Sequence, residues 1–261
     1  MTVAAEPRMQ AGRCCPIDPL STPSSDPQVS WFQIADGDSV KPIVVPTKSV
    51  LDWKRRLAQP KKQWRDKYSA KALARAWESA KGLPPEIRAL LRSLGDIELL
   101  FAIPEYDVAL PGGARPSQSD VFALARTHDG LVVVMVEGKV AESFDATLER
   151  WQKNASPGRM RRLAFLKNTL GLTADLPPGV RYQLLHRAAS AVIEASRFHA
   201  GDAVLVIHSF SPKRASYDDY QTLLGLFGKR ASPGQMVALG TASGIRLWAG
   251  WAQGDPRFLK A

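Results

Sequence analysis

Residues 119–142 constrain this chain more than any other stretch. They read S-D-V-F-A-L-A-R, then T-H-D-G, then L-V-V-V-M-V-E-G-K-V-A-E. Two apolar runs joined through an Asp-Gly turn signal spell a β-hairpin. Side chains alternate along a strand, so Glu137 and Lys139 share a face. In an antiparallel hairpin the start of one strand lies beside the end of the other. Asp120 is therefore expected beside Glu137 and Lys139 at one sheet edge. Two carboxylates and a lysine gathered there could hold a divalent metal next to a phosphate. The same groups could instead form a strand-end salt bridge, Lys139 pairing with Asp120 or Glu142.

The pattern around the hairpin predicts its frame. Residues 69–80 read as a helix, with Ser69 as N-cap, Leu73, Ala76 and Trp77 as its apolar face, and Gly82 as its stop. Pro84 and Pro85 open a further helix over 86–93. Residues 97–108 suit a strand, and 111–116 form a turn-rich loop. A short helix over 146–152 and a basic amphipathic helix over 159–170 follow. Residues 181–198 carry the clearest helical period, with Leu185, Ala189, Val192 and Ile193 on the buried face. Then come a strand over 203–210, a helix over 217–227, and strands over 236–239 and 245–251. This order predicts an α/β (α+β) fold: a three-layer domain whose central mixed sheet is flanked by helices. Residues 1–46 are rich in Pro, Ser, Asp and Ala and read as a flexible arm, with 31–34 and 43–45 docking on the body. Residues 47–261 read as a single domain with a helical N-terminal part.

Composition narrows the partners. The net charge is +10, which favours polyanions. Residues 49–65 read as a basic amphipathic helix, with Leu51, Lys54, Arg55, Arg56, Lys61, Lys62 and Arg65 around Trp53 and Trp64. No apolar run approaches the length of a membrane span, and the N-terminus lacks a signal-peptide core, so a cytoplasmic protein is expected. The adjacent Cys14 and Cys15 lack zinc-site spacing and would be strained as a disulfide, so they read as free thiols.

Asp120, followed across the hairpin by Glu137-Gly138-Lys139, resembles the PD-(D/E)XK nuclease superfamily. The match covers this motif and an αβββαβ-like order over roughly residues 69–210. The stretches P-G-G-A-R-P-S-Q-S-D, V-E-G-K-V-A-E-S-F and R-Y-Q-L-L-H-R-A-A-S-A look like an uncharacterised bacterial branch of it. Ser119 stands where the motif's proline would be, with Pro116 upstream. The resemblance implies a restriction-endonuclease-like fold and metal-dependent hydrolysis of nucleic acid, with DNA as the expected substrate. A homodimer is common among such nucleases. Asp120 and Glu137 would bind Mg²⁺ (or Mn²⁺), and Lys139 would position the attacking water. Glu78, on the helix before the sheet, would reach the metal or else be a solvated acid. Glu105 could help in its place, and Glu142 reads as a surface or capping acid. The alternative is a catalytically inactive member kept as a binding or scaffold module.

A second constellation lies on the helix over 181–198. Gln183, His186, Arg187 and Ser190 recur at three- and four-residue spacing. Gln183 would approach the phosphate, and His186 and Arg187 would contact substrate; an ordinary solvated face is the other reading. Gly112, Gly113, Arg115, Ser117 and Gln118 could cradle a phosphate just before Asp120, or simply form an entry turn. Neither this loop nor G-L-F-G-K at 225–229 has P-loop spacing. No G-x-S-x-G elbow is present, and the four histidines lack metal-ligand spacing.

Overall fold

The computed structural model describes Met1, Thr47 and residues 49–260. The expected arm, with its docking segments and Cys14 and Cys15, lies outside the described residues.

Eight helices and six strands follow in order among the described residues: α1 (Val50–Lys54), α2 (Pro60–Gln63), α3 (Ser69–Ala80), α4 (Pro85–Leu91), β1 (Glu98–Val108), β2 (Ser117–Thr127), β3 (Gly130–Lys139), α5 (Leu148–Gln152), α6 (Pro157–Thr169), α7 (Tyr182–Arg197), β4 (Asp202–Ser209), α8 (Tyr217–Gly225), β5 (Met236–Ala242) and β6 (Ile245–Gln253). The strands form one sheet in the order β1-β2-β3-β4-β6-β5. The β1-β2, β2-β3 and β6-β5 pairs are antiparallel, whereas β3-β4 and β4-β6 are parallel. The sheet is therefore mixed, and helices cover both faces, as a three-layer α+β fold requires.

The strand sequences explain the layers. In β3 the run from Val132 to Val136 is fully buried, because a central strand covered on both faces has no solvent side. Val133 and Met135 pack with Leu185, Ala189 and Val192 of α7, whereas Val132, Val134 and Val136 pack with Leu73 and Trp77 of α3 and Leu91 of α4. The hairpin loop is His128-Asp129, because Thr127 pairs with Gly130, whose φ of +132° suits glycine.

Two local expectations change. Residues 49–65 form two short helices, because Pro60 opens a new one at its N1 position. Tyr68, not Ser69, is the N-cap of α3. The Ser69 N–H is satisfied from the loop after β3: Oε1 of Glu142 accepts it at 2.8 Å. Glu142 Oε2 accepts the Val140 N–H at 2.8 Å. Glu142 thus caps α3 and ties it to the end of β3.

Candidate active site

The hairpin ladder stops at Val121↔Val136, but β3 goes on pairing with β4 as far as Lys139↔Ser209. Strands β2 and β3 therefore part at the carboxyl end of β3, and a cavity of about 730 Å³ opens beside the split. Asp120 bridges the gap: its Oδ2 accepts the Gly138 N–H at 2.7 Å, replacing a ladder bond with a side-chain bond. A Cβ on Gly138 would stand 3.2 Å from that oxygen, with Ser69 Cβ at 3.4 Å and Leu73 Cδ1 at 3.5 Å behind it. Glycine is what lets α3 and Asp120 close on β3. Gly138→Ala is expected to push the Asp120 carboxylate aside and lower any turnover about tenfold, since small misplacements at a reacting centre are costly. Steady-state kinetics beside a circular-dichroism melt would check this, with a lowered melting temperature also expected because the added methyl crowds α3 and Asp120.

Glu137 and Lys139 lie in one buried network. Glu137 Oε1 accepts from Lys139 Nζ at 2.6 Å and from Gln183 Nε2 at 2.7 Å. Its Oε2 accepts from Arg187 Nε at 2.6 Å. Lys139 Nζ also lies 3.5 Å from Gln183 Oε1 and 4.8 Å from the centre of the Phe144 ring. Only 2% of Glu137, 5% of Lys139 and 7% of Arg187 is exposed. The first turns of α7 supply Gln183 and Arg187, one turn apart on the face toward the sheet. Gln118 lines the same cavity.

Glu105 completes the cavity wall. It lies on β1 between the pairs Pro104↔Val121 and Tyr106↔Ser119, level with Asp120. Its φ is +53°, a left-handed conformation that is strained for a glutamate inside a strand. Among the described residues its carboxyl group accepts no hydrogen bond, and Asp120 Oδ1 accepts none either.

The cavity is short of positive charge. Burial works against the charge of Glu137, but Arg187 and Lys139 outweigh it and hold the group down at about 2. Burial, then the repulsion of Glu137, pushes Asp120 up to about 7 despite Lys139 and Arg187. Burial, then Asp120 and Glu137, pushes Glu105 up to about 9. Near neutrality Glu137 is a carboxylate, Asp120 is divided between its two forms, and Glu105 keeps its proton.

Glu78 is not part of this cavity. Its Oε1 accepts from Thr47 Oγ1 and from Trp53 Nε1, both at 2.7 Å, so it binds α3 to the segment before and within α1. Glu78 projects toward those partners and away from the sheet edge. The carboxyl group from outside the hairpin comes instead from Glu105.

With this geometry established, likeness to known proteins can be weighed. The family described as a domain of unknown function, DUF6946, matches residues 46–256. The chain belongs to that family. It is also 29% identical over 146 residues, 52% of its length, to the glycine–tRNA ligase beta subunit of Acidobacterium capsulatum. It spans only 19% of the length of that relative. No solved structure matches it.

In this DUF6946 chain the other expected contacts lie in a neighbouring cavity. Arg115 and His186 line a space of about 460 Å³ with Arg159, Arg162, Trp151 and Tyr182. His186 Nδ1 lies 2.8 Å from Ser117 Oγ, which in turn accepts from Arg187 Nη1 at 3.1 Å. Burial, then Arg187, holds His186 well below the ordinary histidine range, so it is neutral. Ser117 thereby links the two cavities. No group of three or more His, Cys, Asp or Glu side chains stands as a ready-made metal cage among the described residues.

Proposed function

We propose that this chain is a metal-dependent nuclease that hydrolyses phosphodiesters in nucleic acid, with DNA as the substrate. One observation carries the reading. Glu105 and Asp120 are carboxyl groups with unmatched oxygens, in a cavity that also holds Lys139, Glu137 and Gln183. The donor set fits a hard divalent cation, because Mg²⁺ is commonly held by one or two carboxylates with water completing its shell. Asp120 and Glu105 would hold Mg²⁺ or Mn²⁺. When bound, the metal neutralises phosphate charge and makes water a better nucleophile.

The protein's own groups do the rest. The Lys139 ammonium, fixed by Glu137 and Phe144, would orient the attacking water and oppose charge building on the phosphate. Gln183 would hold the lysine and a phosphate oxygen in register. Arg187 would act through Glu137, as a positioning residue. Gln59, the N-cap of α2, and Lys62 and Gln63 within it also line the cavity, where Lys62 would meet the strand's backbone. The +10 charge and the partial likeness to a tRNA ligase subunit are in line with a nucleic-acid partner. No described helix is long and apolar enough to cross a membrane, and we place the action in the cytoplasm. A homodimer cutting both strands is the expected assembly.

The test is cleavage of single- and double-stranded DNA and RNA with Mg²⁺, Mn²⁺ or EDTA. Cleavage that needs metal and disappears in Lys139→Ala supports the reading. A second reading rests on the three donors that already occupy Glu137: the same fold as an inactive binding module. Nucleic-acid binding without cleavage under either metal would favour it.

The acids also predict a link between pH, metal and stability. Asp120 and Glu105 titrate in the fold above their unfolded values of 3.8 and 4.5. The stability they contribute is whole below those values and is lost as pH climbs through about 7 and then about 9. Glu137 contributes in the opposite sense, above 4.5, and that contribution is lost as pH falls toward about 2. In EDTA the melting temperature should therefore fall between neutral and alkaline pH. Mg²⁺ should restore it, and by more at the higher pH, because binding displaces protons from the two acids. A thermal-shift series across pH with and without Mg²⁺ measures this; equal Mg²⁺ shifts at every pH would contradict the assignment.

A further inference from the structure

The smaller cavity has no part in the chemistry above, yet it is built from fixed donors. Arg162 of α6 is 9% exposed and clamps the loop after β1: its Nε donates to the Pro111 carbonyl at 2.8 Å, and its Nη2 donates to those of Gly113 at 2.8 Å and Leu110 at 3.2 Å. The loop backbone then presses on the start of α6. Gly112 has a φ of +80°, and a Cβ there would collide with the Gly158 carbonyl, while a Cβ on Gly158 would lie 2.7 Å from the Gly112 oxygen. The two glycines let the P-G-G-A-R-P loop and the S-P-G-R turn meet backbone to backbone. Arg115 and Ser156, the α6 N-cap, are thereby placed on one wall.

His186 also lines this cavity. Its Nδ1 lies 3.3 Å from Arg187 Nη1, which can only donate, and 2.8 Å from the Ser117 hydroxyl. Those partners require Nδ1 to accept, so the ring proton sits on Nε2. Among the described residues that N–H has no acceptor. Arg115 is exposed and makes no ion pair among the described residues. Arg159 lies over Trp151, with its guanidinium 5.5 Å from the ring centre, and Trp151 in turn stacks on Tyr182 at 4.0 Å. The cavity thus offers an unmatched imidazole N–H, two guanidinium groups and the positive end of a thirteen-residue helix.

Both cavities have Asp145 in their walls. Successive residues of α7 serve them in turn: Tyr182 and His186 line the smaller, Gln183 and Arg187 the larger.

We propose that the Arg115–Arg159–His186 cavity is a second phosphate pocket, which takes a phosphate adjoining the scissile one on the same nucleic-acid strand. This deepens the nuclease reading and rests on it for the identity of the strand. Asp145, exposed between the cavities, would keep two phosphates from settling on one side and would set the step between them.

The test uses the full chain in EDTA, so that cleavage does not intervene. Inorganic phosphate should bind the wild type in a calorimetric titration, about tenfold more weakly in Arg115→Ala, and unchanged in Asp120→Asn, since charge-assisted hydrogen bonds are the stronger class. Arg115 is exposed, so this variant leaves the core intact; Arg159→Ala offers a second, independent arm. A short DNA strand is then given a neutral methylphosphonate at one internal position at a time. One position should weaken wild-type binding about tenfold and have no further effect in Arg115→Ala. Phosphate affinity equal in wild type, Arg115→Ala and Arg159→Ala would overturn the pocket, as would methylphosphonate losses that Arg115→Ala leaves intact. Failure of the wild type to cut nucleic acid with Mg²⁺ or Mn²⁺, with phosphate binding intact, would overturn the catalytic reading alone.

Discussion

Glu137→Gln should destabilise the protein by about 3–5 kcal/mol, the range found when one partner of a buried ion pair is removed. Lys139 and Arg187 reach Glu137 at 2.6 Å each, and all three are nearly sealed from water. The amide keeps the shape and loses the charge, so two buried cations are left without their nearest anion. The variant also has an internal compensation. Removing the Glu137 charge lowers the repulsion on Asp120 and Glu105, so these acids ionise more readily and offset part of the loss. The destabilisation should therefore be larger near pH 6 than near pH 8. Urea unfolding at both values measures the difference, and a loss that does not depend on pH would show that the three acids are not coupled.

Asp120→Asn should act on stability and activity in opposite directions. Its amide oxygen can still accept the Gly138 N–H, so the bridge across the split ladder survives. The half-buried negative charge disappears, which should stabilise the metal-free protein at alkaline pH by on the order of 1–2 kcal/mol. Cleavage should fall at least about a hundredfold, because a ligand and a positioning group go together. The Mg²⁺-induced rise in melting temperature should shrink as well. A variant that melts higher, binds Mg²⁺ less and does not cut is the signature of a site that stores unfavourable charge for a cation. A variant that is destabilised and still cuts would mark Asp120 as structural. Thermal melts in EDTA and Mg²⁺ beside a cleavage assay separate the two.

The hairpin was legible because it depends on short-range rules: a two-residue turn and strict alternation. Those rules place Glu137 and Lys139 on one face and Asp120 opposite. Gln183 was legible for a similar reason, since helical periodicity puts it one turn before Arg187. Glu105 was harder to read. Its positive φ breaks the alternation of β1, so strand periodicity cannot say where its side chain goes. Glu78 misled because an acid directly after the last residue of the apolar stripe, Trp77, sits at the border of the face and fits either side of the helix. The choice was made by Trp53, Thr47 and their hydrogen bonds. His186 and Gln183 look like neighbours on one polar stripe, yet they line different cavities.

The sequence by itself determined which residues neighbour one another along a ladder or a helix turn, because backbone geometry repeats over two or 3.6 residues. It therefore pointed to a mixed sheet between helical layers and to the acid-x-lysine end of β3, while strand order came from the tertiary structure. Tertiary structure decided the charge states. Whether a carboxyl group ionises depends on how many other charges are buried around it and which hydrogen bonds it finds, and those come from β1, α3 and α7 together. Glu137 owes its charge to Lys139 and Arg187. Asp120 and Glu105 lack such partners, and that shortage can be seen only once three strands and three helices are packed around one cavity.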